Sequence, residues 1–324
     1  MVEGRSVACQ FAVLLCAACS SEVAAPVDAA GTVDAPASVD APGATPDAAM
    51  YGDPLAGTGQ VSQVQGGFMF TEGPLWIASQ GVLLFTDTSA QIIYQLTPPA
   101  TIVPFRMNSN AANGLALDEQ GRLIACEGGA RRVTRTLAGG TIEVVTDHYM
   151  GLRYNSPNDV IVRSDGTIYF TDPDYGLGTG TREINFQGVY RVPPGGQPVL
   201  VDMTLSEPNG IALSPDQHTL YVDDTVGHLV RRYDVAADGS TGAGTLFVDT
   251  VPNADGMGID DAGNVYVTTM NGVMVFKPDA TPIGTIAVPM IPANCSFGGS
   301  DRRTLYMTAR TTLYQIHLNV PGKP

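Results

Sequence analysis

The chain has 324 residues, 44% of them hydrophobic, enough for one large domain or two ordinary ones. Lys and Arg number 17 against 32 Asp and Glu, and the resulting net charge of −15 repels phosphate backbones and argues against a nucleic-acid partner. Charged residues make up only 15% of the chain, too few for a coiled coil, and no run of about 20 apolar residues supplies the spans of a multi-pass helical membrane protein.

The N-terminal stretch has a single positive charge, Arg5, followed by an apolar run from Phe11 to Ala18. This is the outline of an export signal with a small-residue cleavage region. Ala17 and Ala18 directly before Cys19 resemble a bacterial lipoprotein box, which would make Cys19 a lipidated residue. Residues 1–19 are therefore expected to be a leader, and the protein to be exported, as a cell-envelope lipoprotein or a periplasmic or secreted protein. Membrane contact is expected only through that N-terminal anchor. Residues 20–56 cycle through Ala, Pro, Val and Asp. Such low complexity buries too little apolar surface to offset chain entropy, so a disordered tether is expected there. Only Cys126 and Cys295 remain beyond the leader, and both read as buried packing residues.

Gly 37 and Pro 23 together indicate many short elements and turns. The remainder of the chain repeats one unit. Asn113 opens NGLALDEQGRLIACE, Asn158 opens NDVIVRSDGTIYFTD, and Asn209 opens NGIALSPDQHTLYVDD. Asp255 and Asn294 open two more, and Glu72 opens the shorter EGPLWIASQGVLLFTD. Each unit is an oxygen-bearing residue, an apolar run, a turn rich in Asp and Gly, and a second apolar run, which is the pattern of a β-hairpin. The intervals between openers at 72, 113, 158, 209, 255 and 294 are 41, 45, 51, 46 and 39 residues. With further strands between hairpins, this is the period of a four-stranded propeller blade. The fold expected is all-β, a six-bladed β-propeller over residues 57–320. The last unit is one strand short, and the segment around Thr58–Gly67 belongs to no repeat, so that segment is expected to complete the final blade as its outer strand.

Equivalent positions of successive blades face one central channel, so the six openers should crowd one mouth of it. All carry side-chain oxygens, and two are carboxylates. That set suits a divalent cation with oxygen ligands. Turn chemistry alone explains an Asn or Asp ahead of a strand, but it gives no reason for Glu72. The four histidines, His148, His218, His228 and His317, occupy no opener position, no His/Cys cluster suggests zinc, and no glycine loop suits a phosphate. Trp76 and Tyr175 read first as core packing.

At these residues the sequence resembles the gluconolactonase family, which includes the regucalcin-type lactonases. The matching stretches run from EGPLW through NSPNDVIVRSDGTIYFTDP, PNGIALSPD and DGMGIDDAGNVYVT to NCSFGGSDRRTLYMTARTTLY. The resemblance implies a six-bladed propeller that hydrolyses a sugar lactone with one divalent ion, calcium first, with zinc, magnesium or manganese as alternatives. It places the metal ligands on Glu72, Asn158, Asn209 and Asp255 and the proton donor/acceptor on Asp255. Asn158 can also contact substrate, and Asn113 and Asn294 become substrate-side channel neighbours. The implied partner is a small-molecule lactone. Gly128 stands where relatives usually have His, Leu152 and Arg153 where they have Lys-Arg, and Ala254 where they have Pro. Other metal-dependent esterases or phosphotriesterases, a non-catalytic calcium- or ligand-binding propeller, and a protein-interaction propeller are the competing readings.

Overall fold

Each repeat folds into a four-stranded antiparallel sheet because its apolar runs are short, rich in β-branched and aromatic residues, and separated by Asp/Gly turns. The computed structural model describes residues 51–323. The six sheets form a six-bladed β-propeller, with innermost strands Thr71–Ile77, Ala112–Leu117, Val160–Val162, Pro208–Leu213, Met257–Ile259 and Asn294–Gly298. Second strands such as Val82–Asp87, Leu123–Glu127 and Ile168–Asp172 are buried along their whole length. Neighbouring blades cover both of their faces, which is why they read as continuous apolar runs rather than alternating ones. Outermost strands such as Thr101–Met107 are largely exposed at the rim.

Ser62–Gly66 pairs antiparallel with Thr312–His317, so the segment before the first repeat supplies the outer strand of the last blade, as the missing strand required. Trp76 of the first blade stacks on Tyr306 of the last, with centroids 5.9 Å apart, and seals the seam with apolar contact. Trp76 is thus core. Cys126 and Cys295 are free, buried thiols.

The expected leader, Cys19 included, and the expected tether as far as residue 50 lie outside the described residues. Residues 51–56, assigned above to the tether, instead lie on the propeller. Leu55 packs against the core shared by the last two blades, and the Pro54 carbonyl accepts the Asn319 N–H at 3.2 Å. The Leu55 side chain packed on that core and the Asn319 amide, which donates to the Asp53 and Ala56 carbonyls at 3.1 and 2.7 Å, hold this segment in place. At the other terminus Gly322 bridges to Asp260, two residues past the boundary expected at 320.

The openers do not simply precede their strands. Glu72, Asn113, Asn209 and Asn294 lie within the innermost strands, while Asn158 and Asp255 stand just before them. In three blades the register slips at the opener, between Glu72 and Leu75, Ala112 and Leu115, and Pro208 and Ile211. A bulge at these points turns the opener's side chain out of the ladder and toward the axis.

Candidate active site

The glycines that follow the openers explain how close the strands approach. A Cβ at Gly73, which has φ +41°, would collide with the Asn113 carbonyl, and one at Gly210 would collide with that of Asp255. These Gly residues are therefore required by backbone contact between adjacent blades. The Glu-Gly, Asn-Gly and Asp-Gly pairs are axial packing elements, not hairpin turns.

A cavity of about 670 Å³ opens at the mouth of the channel. Glu72, Asn113, Asn158, Asn209 and Asp255 all line it. Asn294 does not: its Oδ1 accepts the Cys295 N–H at 2.7 Å and its Nδ2 reaches Asp159 Oδ2 at 3.4 Å. Its side chain faces the cavity at the opposite end of the channel. Asn294, expected on the substrate side, is engaged by these two bonds and lies outside the mouth cavity.

Glu72 is 4% exposed, and its one close donor is the Gly73 N–H, 3.3 Å from Oε2. Burial drives its pKa well above the ordinary carboxylate range, and the nearby charge of Asp255 raises it further. Burial likewise pushes Asp255 up, against the Asn209 amide and Arg310, which hold it down. Arg310, the one cation lining the cavity, lies over the Phe70 ring at 5.3 Å. Its charge lowers the pKa of both carboxylates, but burial outweighs it.

The Asn209 amide is oriented by its surroundings. Its Nδ2 donates to Tyr175 OH at 3.2 Å and to Thr225 Oγ1 at 3.1 Å, which leaves Oδ1 for the cavity. Tyr175 OH donates to the same Thr225 Oγ1 at 3.0 Å, and that hydroxyl donates to the Ala254 carbonyl at 2.7 Å. Tyr175 is therefore a wall of the mouth and not core, since its phenol finds polar partners there. Asn113 Oδ1 is buried with no protein partner. Such an orphaned acceptor costs on the order of 1–3 kcal/mol unless something meets it.

Gly128 also lines the cavity, and a Cβ there would come within 2.8 Å of Ser156 Oγ. A His at that point, as expected in relatives, would require the Ser156 side chain to shift. None of the four histidines lines the cavity. Tyr175, Thr225 and Arg310 are among the polar lining residues that repeat counting does not single out. Asp159 lies beside Asn158, where burial pushes its pKa to about 6; its signal was the Pro-Asn-Asp triplet itself.

No three His, Cys, Asp or Glu side chains gather as a metal cage among the described residues. The donor set here is two carboxylates and amide oxygens, which suits a hard, oxygen-preferring divalent ion better than zinc. Two carboxylates of raised pKa in one cavity, with an orphaned amide oxygen lining the same cavity, fit such an ion, whose binding would displace their protons.

The SMP-30/Gluconolactonase/LRE-like region matches residues 70–311. A gluconolactonase of Zymomonas mobilis is 32% identical over 284 residues, covering 78% of this chain and 80% of that one. A pentonolactonase of Haloferax volcanii is 26% identical, covering 73% and 80%. Among solved structures, a gluconolactonase of Xanthomonas campestris superposes with a TM-score of 0.77 at 31% identity, covering 82% of this chain and 91% of that one. With the matched region spanning most of the propeller and every candidate ligand, the chain belongs to the SMP-30/gluconolactonase/LRE-like family.

Proposed function

We propose that the protein hydrolyses a sugar lactone in the channel-mouth cavity with the help of one divalent ion, calcium before zinc, magnesium or manganese. Lactone hydrolysis is supported by the family and by the gluconolactonase and pentonolactonase relatives. The observation that carries metal dependence is the pairing of Glu72 and Asp255. The carboxylates of Glu72 and Asp255, from different blades, line one cavity, and desolvation raises the pKa of both against the opposing charge of Arg310. Asn158 and Asn209 add amide oxygens on the same wall.

A divalent ion bound there supplies Lewis acidity to the lactone carbonyl and positive charge for the developing oxyanion. Asp255 takes the proton of the attacking water and returns it to the ring oxygen as the C–O bond breaks. Its burial favours a base of raised pKa, which offsets the loss of basicity that a neighbouring cation imposes. Tyr175 and Thr225 fix the Asn209 amide, so the acceptor geometry exists before substrate arrives. Asn113 is a hydrogen-bond partner for substrate hydroxyls. Arg310 lies at the rim, where it favours the carboxylate that ring opening creates.

The test is glucono-lactone hydrolysis before and after exhaustive chelation, with calcium added back. Loss on chelation and recovery on addition are expected. Full activity in the chelated protein would overturn metal dependence, and no lactonase activity in the metal-loaded protein would overturn the substrate class.

A further inference from the structure

The last residue of the second strand is an aspartate in three blades: Asp87, Asp172 and Asp224. All three are buried. Each uses both carboxylate oxygens to accept two consecutive backbone N–H groups. Asp87 takes those of Met69 at 2.8 Å and Phe70 at 3.0 Å. Asp172 takes those of Asn155 at 2.8 Å and Ser156 at 2.7 Å. Asp224 takes those of Ser206 at 2.7 Å and Glu207 at 3.0 Å.

The donors are always the residues three and two positions before the opener: Glu72, Asn158 and Asn209. The second strands of the other blades end in Glu127, Thr269 and Ala309, and none makes this double bond. Glu127 instead binds Arg106, Arg132 and the Asn110 side chain. The clamp is thus present in the blades that carry three of the four candidate ligands. The fourth, Asp255, is reached indirectly: Thr225, the neighbour of Asp224, donates to the carbonyl of Ala254. A general fold requirement would place the clamp in every blade.

We propose that Asp87, Asp172 and Asp224 are positioning residues that hold the ligand-bearing segments of their blades in register with one another, so that Glu72, Asn158 and Asn209 converge on one ion. This rests on the metal reading above. Two hydrogen bonds to adjacent N–H groups fix both the height and the tilt of the segment, which a single bond does not. An Asn in the same place keeps one acceptor and turns its NH₂ toward the other N–H, so the segment gains freedom while the blade keeps its core.

The experiment measures calcium affinity by titration calorimetry on the full chain for wild type, D87N, D172N and D224N. Melting in chelator is recorded for each. The control is D260N, which loosens an equally buried aspartate at the opposite face, where Asp260 accepts the N–H groups of Ala262 at 3.0 Å and Asn264 at 2.8 Å. Each clamp variant is expected to raise the calcium Kd by about 10- to 100-fold, as supporting hydrogen bonds around a metal do. D260N is expected to lower the melting temperature while keeping the wild-type Kd. Clamp variants that bind calcium as wild type does overturn this inference alone; a wild type that takes up no divalent ion overturns the metal reading and this inference together. Because the three aspartates serve different blades, a variant that fails to fold leaves two others to decide.

Discussion

The two faces of the propeller use the same residues for opposite purposes. At the face away from the cavity, Asp118 accepts the N–H groups of Gln120 and Arg122 and pairs with the Arg122 guanidinium at 2.7 Å. Asp260 there is met by two backbone N–H groups, the Asn264 amide and the Tyr266 hydroxyl. These carboxylates are satisfied within their own turns. At the mouth, Glu72 meets one weak donor and Asp255 lies against like charge. A carboxylate that completes a turn is structural, whereas one buried without a paired cation is poised for a ligand.

The largest effect expected from that contrast is on turnover. Asp255→Asn should lower kcat by about 10²- to 10⁴-fold, the range for loss of a general acid–base group, while Asp118→Asn should leave steady-state kinetics near wild type. Equal losses in both would erase the distinction between the faces.

Next is the packing at the axis. Gly73→Ala introduces a Cβ against the Asn113 carbonyl at a residue with φ +41°. It should cost on the order of 3 kcal/mol, read as a shift in the urea midpoint. Gly121→Ala, whose Cβ would meet nothing within 4 Å, bears only the cost of its φ of +72° and should be milder.

A smaller, pH-dependent effect sharpens the electrostatic half of the comparison. Burial raises the pKa of Glu72 and Asp255, of Asp159 to about 6 and of Asp172 to about 7. The metal-free folded protein therefore holds protons that the unfolded chain has already released. That stability is fully present below the unfolded values and is lost as pH rises through about 7. Asp165 and Asp202, held below the usual range, are ionised across the window and do not offset it. The chelated protein should melt at lower temperature at pH 8 than at pH 6, and saturating calcium should flatten the slope. Calcium affinity should rise over the same interval, with proton release visible as a buffer-dependent binding enthalpy. The smallest effect is at the rim: Arg310→Gln should weaken inhibition by the aldonate product by no more than about fivefold, the range of an exposed ion pair.

Much of this architecture was legible in the chain because it repeats. Six hairpin patterns at near-even spacing gave the blade count, and the one-strand deficit of the last repeat gave the closure through Ser62–Gly66. Repetition also picked out five residues that line one cavity. It could not separate Asn294 from the rest, because the difference lies in a partner, Asp159, that is 135 residues away in sequence. Tyr175 was read as core for a related reason. Its partners Asn209 and Thr225 belong to the next blade, and nothing local marks an aromatic ring as a wall rather than filling.

By itself, then, the sequence determined the period, the hairpins and the oxygen-rich identity of the openers, since those are local properties of side-chain alternation and turn chemistry. Only the closed ring decided which openers share a cavity, which glycines are obligatory and which aspartates become clamps. Those outcomes depend on how near neighbouring blades come at the axis, a distance set by the packing of all six sheets and encoded in no single repeat.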